Sequence, residues 1–236
     1  ALLALQVKHN LPETGIPDEA TRAVLSVPIV RRLVDLRRAL KLLRHHPHRK
    51  APIHIELNIP TYELRVVGEG QILARYRVIV GSNRRDFDPI SRRTGHLNRT
   101  PEAVTALEAV VINPSWKVPH RVKLFELDPR AERDPGFYDA FDMVRGPKGE
   151  PHLVQRPGPT NALGLVQFIL AGHQDLSLHD TPGKNLFRAA YRALTHGSVR
   201  VDNAMEFATM LLTLDGQPEA ADRLSDLVTT NNRTEL

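Results

Sequence analysis

Two histidines, a glycine and a serine lie within residues 179–200 at a spacing that suits acyl transfer. His179 is followed, after fifteen intervening residues, by the segment Thr195–Arg200, which reads THGSVR. Exchange of a peptide bond requires a nucleophile, a base within hydrogen-bond reach and donors that stabilise the oxyanion. Gly197 allows the backbone to approach a substrate closely, and the amides of Gly197 and Ser198 are candidate oxyanion donors. These residues predict an acyl-transfer site at position 198.

This arrangement resembles the signature of the L,D-transpeptidase (YkuD-like) family, in which a His is followed by Ser/Thr-His-Gly-Cys-x-Arg/Asn. Three further motifs that recur in the large periplasmic, cell-wall cross-linking branch of that family are present in the same order: Asn113–Pro119, Pro157–Gly164 and His179–Pro182. The resemblance covers roughly residues 53–214. It departs from the family at one position, because Ser198 stands where the family has its nucleophilic Cys, and the chain contains no Cys.

The resemblance implies catalytic roles for four residues. Ser198 occupies the nucleophile position and His179 is the general base. His196 and Gly197 support the catalytic loop and the oxyanion site. A thiol at position 198 would also gain acidity from a helix N-terminus, because the sequence predicts a turn at residues 195–198 just before a helix capped at Asp202.

The resemblance also implies contacts with substrate. Arg200 either braces the loop or meets a substrate carboxylate. Trp116 either forms a wall of the substrate groove or anchors the core under the sheet. The residues expected to bind substrate are Arg200, Asn161, Trp116 and Tyr191. Neither a cofactor nor a metal is expected, and His45, His46 and His48 are interpreted as part of a solvated linker because no helical spacing fixes a ligand geometry.

Ser198 has three interpretations. The first is an engineered Cys-to-Ser change that inactivates a peptidoglycan L,D-transpeptidase. The second is a naturally inactive homologue that acts as a peptidoglycan-binding module. The third is a working Ser nucleophile, which would need a strong base dyad; Asp180 directly follows His179, and its side chain is predicted to point elsewhere on an extended segment.

The family's reaction defines the expected substrates of the Cys form. A thiolate attacks the carbonyl of the third residue, a diamino acid, in a stem tetrapeptide, and D-Ala leaves. The side-chain amine of another stem's diamino acid then takes the acyl group from the thioester, which gives a 3-3 cross-link. Related members use other acceptors, including a lipoprotein's terminal Lys or D-amino acids, and the sequence leaves these open.

Charge and composition limit the class of partner. The chain has 32 Lys and Arg against 27 Asp and Glu, a net charge of +5. A basic surface favours polyanions. No helix-turn-helix, zinc-finger or aromatic-basic RNA-binding pattern accompanies it, so we expect peptidoglycan and anionic envelope polymers rather than nucleic acid. No apolar run reaches transmembrane length and no signal peptide opens the chain. We expect a periplasmic protein trimmed of its targeting segment.

The elements that position these residues predict an α+β protein. It is expected to have a mainly antiparallel β-sandwich catalytic domain with flanking helices. Residues 1–48 read as a helical segment resembling part of a peptidoglycan-binding module, residues 50–216 as the catalytic domain, and residues 217–236 as a helix and tail. Residues 120–156, rich in Pro, Gly and charge, are interpreted as an inserted capping subdomain with an irregular course.

Hydrophobic periodicity gives the finer expectations. Helical spacing predicts two short helices before residue 27 and a basic amphipathic helix over residues 28–44. Period-two alternation predicts a three-stranded meander from Ile53 to Val80 with one buried face. The remaining expectations are a long exposed loop over 82–103, strands over 106–112, 163–170 and 176–178, helices over 184–194, after a cap at Asp202 and over 219–228, and a disordered tail from Thr229.

Overall fold

A computed structural model describes residues 1–9, 11–44, 51–173 and 176–236. Its helices and its mainly antiparallel strands confirm the predicted α+β fold class. The chain divides into two compact units, the first made of Ala1–Arg77 and Asn185–Arg192, the second of Val78–Lys184 and Ala193–Leu236. Among the described helices, none combines the length and the apolar character that a membrane crossing requires. The predicted linker histidines His45, His46 and His48 lie outside the described residues.

The first unit begins with the two predicted short helices, α1 (Leu2–Lys8) and α2 (Glu19–Leu25). Gln6 is fully buried, and its amide donates hydrogen bonds to Thr14 Oγ1 and Ile16 O at 2.9 and 3.0 Å. Its side-chain oxygen accepts one from Gly15 N. Asp18 caps α2 by accepting from Thr21 N at 2.9 Å. One buried amide therefore holds the connection between the two helices.

Helix α3 (Ile29–Arg44) confirms the predicted basic helix. Its apolar stripe is exposed rather than packed, with Ile29, Leu33, Leu36 and Leu40 each between 50% and 73% accessible. The basic residues Arg31, Arg32, Arg37, Arg38 and Lys41 are exposed as well.

The predicted meander is present as β1 (Ile53–Asn58), β2 (Glu63–Gly68) and β3 (Gln71–Gly81), paired antiparallel in that order. The expected single buried face is only partly correct. Leu64, Val66 and Tyr76 are buried as expected, but Val67 on the other face is buried and Ile72 is 42% exposed. β3 begins in the first unit and ends in the second.

The sheet of the second unit runs in the order β3, β13, β11, β10, β6, β14. These strands are β13 (Val199–Val201), β11 (Leu178–His179), β10 (Val166–Leu170), β6 (Leu107–Ile112) and β14 (Thr234–Glu235). The β11–β13 pair is parallel and the other pairs along this path are antiparallel. The strand β12 (Ala193–Thr195) pairs in parallel with the end of β3.

Two predictions about the secondary structure of the second half of the chain are wrong. Residues 184–194 do not form a helix, because a short 3-10 helix over Lys184–Arg188 gives way to β12. The tail is not disordered, because β14 pairs with β6. The side-chain amide of Asn113 donates to Leu227 O and Val228 O at 2.9 and 3.2 Å, which fixes the start of the tail.

The helical layer of the second unit consists of α6 (Ala204–Leu214), α7 (Pro218–Asp222) and α8 (Leu224–Thr229). Phe207 of α6 is fully buried, and its ring centroid lies 4.8 Å from that of Phe168 in β10. The predicted cap Asp202 is wrong, because Asn203 takes the cap position with φ 49° and the Asp202 side chain accepts from Asn203 N instead of from an amide of α6. The single helix predicted over 219–228 is two short ones.

Two small sheets complete this unit. The predicted exposed loop over 82–103 contains a hairpin of β4 (Asp86–Asp88) and β5 (Arg93–Gly95). The capping segment contains α4 (His120–Val122), a π-helical turn (Lys123–Leu127), α5 (Asp128–Ala131) and a 3-10 turn (Phe137–Ala140). Its strands β8 (Phe141–Arg145) and β9 (Pro151–Gln155) join β7 (Trp116–Lys117) in one sheet. The segment is thus regular rather than irregular, and its Leu127 and Leu153 form a buried cluster with Val118, which precedes the segment.

Candidate active site

The loop that carries Ser198 connects two strands. β12 ends at Thr195, residues 196–198 cross over, and β13 begins at Val199. The predicted effect of a helix N-terminus on position 198 is therefore wrong, since β13 intervenes and α6 begins only at Ala204. The helix dipole acts within about one turn of a helix end. Acidity of a thiol at this position must therefore come from other groups.

A network of backbone and hydroxyl hydrogen bonds holds this loop. Thr100 Oγ1 donates to Gly197 O at 3.0 Å and accepts from Gly81 N at 2.8 Å. Thr195 O accepts from Ser82 N at 2.9 Å. A side chain at Gly81 would place its Cβ 2.1 Å from Asn98 O, so only glycine admits the 98–100 segment there. The conformation of the loop thus depends on residues almost a hundred positions earlier in the chain.

The backbone of the loop suits an oxyanion site. Gly197 has φ 115°, a conformation that side chains disfavour, and it is buried. Its N–H lies 3.3 Å from Thr195 Oγ1, a long hydrogen bond. The N–H of Ser198 has no acceptor among the described residues. An oxyanion would complete the bonding of that amide.

His179 is held as a neutral base. It is 3% exposed, and its Nδ1 lies within hydrogen-bond distance of Asp180 O. A carbonyl oxygen can only accept, so Nδ1 carries the proton and Nε2 keeps its lone pair. Burial, helped by the nearby charge of Arg200, lowers the pKa of His179 to about 4. At neutral pH the ring can therefore accept a proton through Nε2.

Strand register places His179 and position 198 on one face of the sheet. β11 and β13 are parallel, with His179 opposite Arg200. Side chains alternate along an extended chain, so Ser198, two residues before Arg200, lies on the same side as His179. Strand spacing and rise give a Cβ separation of about 8 Å, a gap that an imidazole and a hydroxyl or thiol can close.

Asp180 does not orient His179 through its carboxylate. Its side chain is buried and forms an ion pair with Lys184 Nζ, while its Oδ2 accepts from Leu165 N at 3.0 Å. Gly164 accommodates this carboxylate, since a Cβ there would lie 2.4 Å from Asp180 Oδ2. The arrangement therefore provides a His oriented by a backbone carbonyl, without the carboxylate of a Ser-His-Asp triad.

Glu126 is the residue at this site that sequence reasoning missed. It lies on the π-helical turn of the capping segment, and its Oε1 is 2.9 Å from His196 Nε2. The hydrogen bond from His196 lowers the pKa of Glu126, and the charge of Glu126 in turn acts on Arg200. π-Helical turns occur frequently at functional sites. Nothing in the type or spacing of Glu126 distinguishes it from other surface acids, so only the fold could reveal it.

Arg200 is partly buried beside His179. Its Nε is inaccessible and has no hydrogen-bond partner among the described residues. Burial lowers the pKa of Arg200, and Glu126 opposes that shift. A partly buried guanidinium with an unpartnered Nε is suited to bind an anion. The predicted contact of Arg200 with a substrate carboxylate is compatible with this position.

The other predicted substrate residues lie in different surroundings. Asn161 is fully buried, and its amide donates to Pro114 O and Arg156 O at 3.0 and 2.9 Å. Its contact with substrate stays a prediction. Trp116 is half-buried and packs on the capping-segment cluster, as a core anchor would. Tyr191 lies in the first unit, 6.2 Å from the ring of Tyr62.

Comparison with known proteins places these residues within a recognised domain. Residues 52–231 match the YkuD family, the L,D-transpeptidase catalytic domain. A Haemophilus influenzae protein named "Putative L,D-transpeptidase" is 32% identical over 182 residues, which cover 70% of this chain and 35% of that protein. The chain thus spans about a third of the length of this relative.

Proposed function

The chain belongs to the L,D-transpeptidase family, and we propose that it represents a peptidoglycan cross-linking domain whose nucleophile position is residue 198. The observation that carries the proposal is the parallel pairing of β11 with β13, in which His179 lies opposite Arg200, two residues after position 198. In the Ser198→Cys form the domain exchanges peptide bonds in stem peptides. With Ser198 it is inactive or nearly so, but it still binds the same peptides.

The proposed first half-reaction acylates the thiol. Nε2 of His179 takes the thiol proton of the Ser198→Cys form, and the resulting thiolate attacks the carbonyl carbon of the third residue of a stem tetrapeptide. The backbone amide of residue 198 stabilises the oxyanion. The C–N bond to D-Ala then breaks, and the D-Ala nitrogen takes a proton from protonated His179. The products are a thioester and free D-Ala.

The second half-reaction transfers the acyl group. The side-chain amine of a second stem's diamino acid attacks the thioester carbonyl, and Nε2 of His179 takes its proton. The C–S bond breaks, the thiol is regenerated, and a new amide joins the two stems. His179 returns to its neutral form because burial keeps its pKa low.

Inactivity of the Ser198 chain has a physical basis in the same geometry. A Ser hydroxyl is a far weaker acid than a thiol, and hydroxyl nucleophiles depend on a strong adjacent base. Here the carboxylate of Asp180 is held by Lys184 and Leu165 N, away from His179. The arrangement supports both an engineered Cys-to-Ser form and a naturally inactive homologue that serves as a peptidoglycan-binding module. The codon at position 198 of the natural gene separates the two.

The decisive experiment converts Ser198 to Cys. Both forms are incubated with a disaccharide-tetrapeptide, and D-Ala release and dimer formation are followed by mass spectrometry. We expect the Ser198→Cys form to gain several powers of ten in rate, since removal of a triad nucleophile costs about a millionfold in a serine protease. It should also form a covalent adduct with a carbapenem. A folded Ser198→Cys form that releases no D-Ala would leave only the binding-module function.

We also propose a role for each of the other three segments of the chain. We propose that residues 120–156 cap the donor site, that residues 1–48 position the domain on the cell wall, and that residues 217–236 complete the fold. The protein acts in the periplasm, on anionic envelope material. A Ser198→Cys chain beginning at residue 50 should keep turnover on soluble muropeptides and lose affinity for intact sacculi. Equal binding to sacculi with and without residues 1–48 would reduce that segment to a packing element.

A further inference from the structure

Residues 83–99, which we call the arginine hairpin, contain β4 and β5 and carry an unbalanced positive charge. The segment has five arginines against two aspartates, a net charge of +3. The five side chains, Arg84, Arg85, Arg92, Arg93 and Arg99, are all exposed. None of them forms an ion pair with any other described residue, although arginines elsewhere, such as Arg65 and Arg156, do so.

The two aspartates of the hairpin do not neutralise these arginines. Asp86 accepts a hydrogen bond from the Asn98 amide at 2.7 Å. Asp88 accepts from Ile90 N and Ser91 Oγ, which shape the turn, and its Oδ1 is 3.9 Å from Arg121 Nε on α4. The acidic groups therefore fold and anchor the hairpin, while its arginines remain available.

The base of the hairpin is joined to the catalytic loop. Thr100 donates to Gly197 O, and Arg99 O lies 3.5 Å from the place that a Gly197 Cβ would occupy. Arg121 links the capping segment to the same base, because it donates to Asn98 Oδ1 at 3.2 Å. A polymer strand bound along the hairpin would therefore have one end next to position 198.

Arginines stand at both ends of the hairpin. Arg84, Arg85 and Arg99 lie at its base, and Arg92 and Arg93 lie at its turn, where Arg92 has φ 53°. The strands between them are three residues long, so the two groups are about 10 Å apart. An extended peptide covers the same distance in about three residues. The spacing suits an anionic peptide that carries carboxylates a few residues apart.

We propose that the arginine hairpin binds the carboxylates of peptidoglycan stem peptides and guides a strand of the polymer to position 198. The proposal rests on the proposed function for the substrate class. Guanidinium groups form forked hydrogen bonds to carboxylates, which makes them suited to this contact. Among the five arginines of the hairpin, Arg99 has its backbone next to Gly197 and is a specificity-determining residue in this assignment.

The test measures binding by the Ser198 chain, which requires no turnover. The hairpin variant carries Arg84→Gln, Arg92→Gln and Arg93→Gln. The matched control carries Arg77→Gln, Arg188→Gln and Arg223→Gln, three exposed charges outside the hairpin and outside residues 1–48 and 120–156. Each protein is sedimented with purified sacculi, with sacculi whose carboxylates have been amidated by a carbodiimide, and with phosphatidylglycerol vesicles. Circular dichroism checks the fold of each variant.

We expect the hairpin variant to bind native sacculi about tenfold more weakly, since three surface ion pairs each contribute a few-fold. The control should match the unchanged chain, and amidated sacculi should bind the unchanged chain and the hairpin variant equally weakly. Equal binding of native sacculi by both variants would overturn the proposal. So would a loss confined to phosphatidylglycerol vesicles, which would identify an anionic lipid surface instead.

The outcome is separable from that of the proposed function. An inactive Ser198→Cys form would refute the transpeptidase reaction and leave arginine-dependent binding to carboxylates intact. In an active Ser198→Cys form, the three hairpin substitutions should raise KM for sacculi and leave kcat unchanged, because the arginines do not touch the reacting atoms. A fall in kcat with unchanged KM would contradict guidance by the hairpin.

Discussion

Glu126 accepts a hydrogen bond from His196 across 2.9 Å, and this contact joins the capping segment to the loop that carries position 198. Both side chains are more than a third exposed, so the pair resembles a surface ion pair in strength. The contact nevertheless fixes the π-helical turn over the same loop whose backbone is proposed to hold the oxyanion. Movement of the capping segment would therefore change the surroundings of the catalytic loop.

Glu126→Gln tests this link in the Ser198→Cys form. We expect kcat/KM to fall about two- to fivefold, because the hydrogen bond remains possible while its charge assistance is lost. Amide hydrogen exchange over residues 120–131 should become faster. Glu132→Gln, an exposed change on the same segment, is the control. Identical kinetics for the two variants would show that the contact is incidental.

The capping segment itself can be removed. Replacing residues 120–156 with a short linker should leave the sheet from β3 to β14 folded, because β8 and β9 belong to a separate small sheet. Trp116 and Val118 would lose their contacts with the segment. Capture of the donor peptide by the Ser198→Cys form should weaken, which would appear as a higher KM for the tetrapeptide. A deletion variant that cross-links at the full rate would refute the capping role.

Stability should fall as the pH drops from 7 to 4.5, because of His179. Its folded pKa of about 4 lies below its ordinary value of 6.5, so the unfolded chain binds the proton more readily between these values. The contribution of neutral His179 is complete above pH 6.5 and is lost as the pH falls toward 4, by about 2–3 kcal/mol. The hydrogen bond from His196 lowers the pKa of Glu126 from its ordinary value of 4.5, so the titration of Glu126 lies below this pH range.

Urea unfolding at several pH values measures how steeply the free energy of unfolding falls between pH 7 and 4.5. The variant His179→Asn should lack most of this fall, whereas His9→Asn, at an exposed position, should retain it. Nuclear magnetic resonance of the His179 ring should show a neutral imidazole with a proton on Nδ1 down to about pH 4. A ring that titrates near 6.5 would contradict the buried neutral state.

Asp180→Asn distinguishes a structural carboxylate from a triad member. We expect a stability loss of about 1–3 kcal/mol, since Lys184 loses its partner while Asn can still accept from Leu165 N. The Ser198→Cys form should keep its rate within about tenfold. Loss of a triad carboxylate costs about ten-thousandfold in a serine protease, so a fall of that size would assign Asp180 to catalysis. Asp202→Asn, which also removes one negative charge, is the control.

Gly81→Ala should damage the catalytic loop from a distance. The added Cβ would lie 2.1 Å from Asn98 O and 2.5 Å from Thr100 N, both backbone atoms that cannot rotate away. We expect a destabilisation of about 2–3 kcal/mol and a displaced Thr100, which supports Gly197. Gly136→Ala, where the nearest atom is a side-chain oxygen at 3.4 Å, should be nearly neutral. Thermal unfolding of the two variants compares them directly.

Periodicity predicted the parts of the fold that are set by local pattern. The alternation in β1 to β3 and the stripe of α6 both correspond to real elements. Residues 184–194 have helical spacing too, but pairing of β12 with the end of β3 overrides it. β14 and the β4–β5 hairpin are two or three residues per strand, too short to show a period, and they exist only through pairing and side-chain anchors.

The candidate site likewise contains residues that a local pattern predicted and residues that only long-range contacts bring together. The spacing of His179 and Thr195–Arg200 marked the loop that the fold places beside β11. Asn161 was assigned to substrate because of its motif, although its amide is used by backbone carbonyls from two loops. Glu126 could not be found, since its contact joins positions seventy residues apart. Contacts of this range follow from topology and leave no local sequence pattern.

The pairing of β14 with β6 also governs the order of events during synthesis. Val110 N and O both bond to Leu236, so the outer side of β6 is completed by residues made more than a hundred positions later. At about 5–20 residues per second, a ribosome needs about 6–25 s to cover that interval. For this time β6 is an open strand edge, a known template for aggregation. Holdase chaperones should therefore engage nascent chains that end between β6 and β14, and release them once residues 234–236 have emerged.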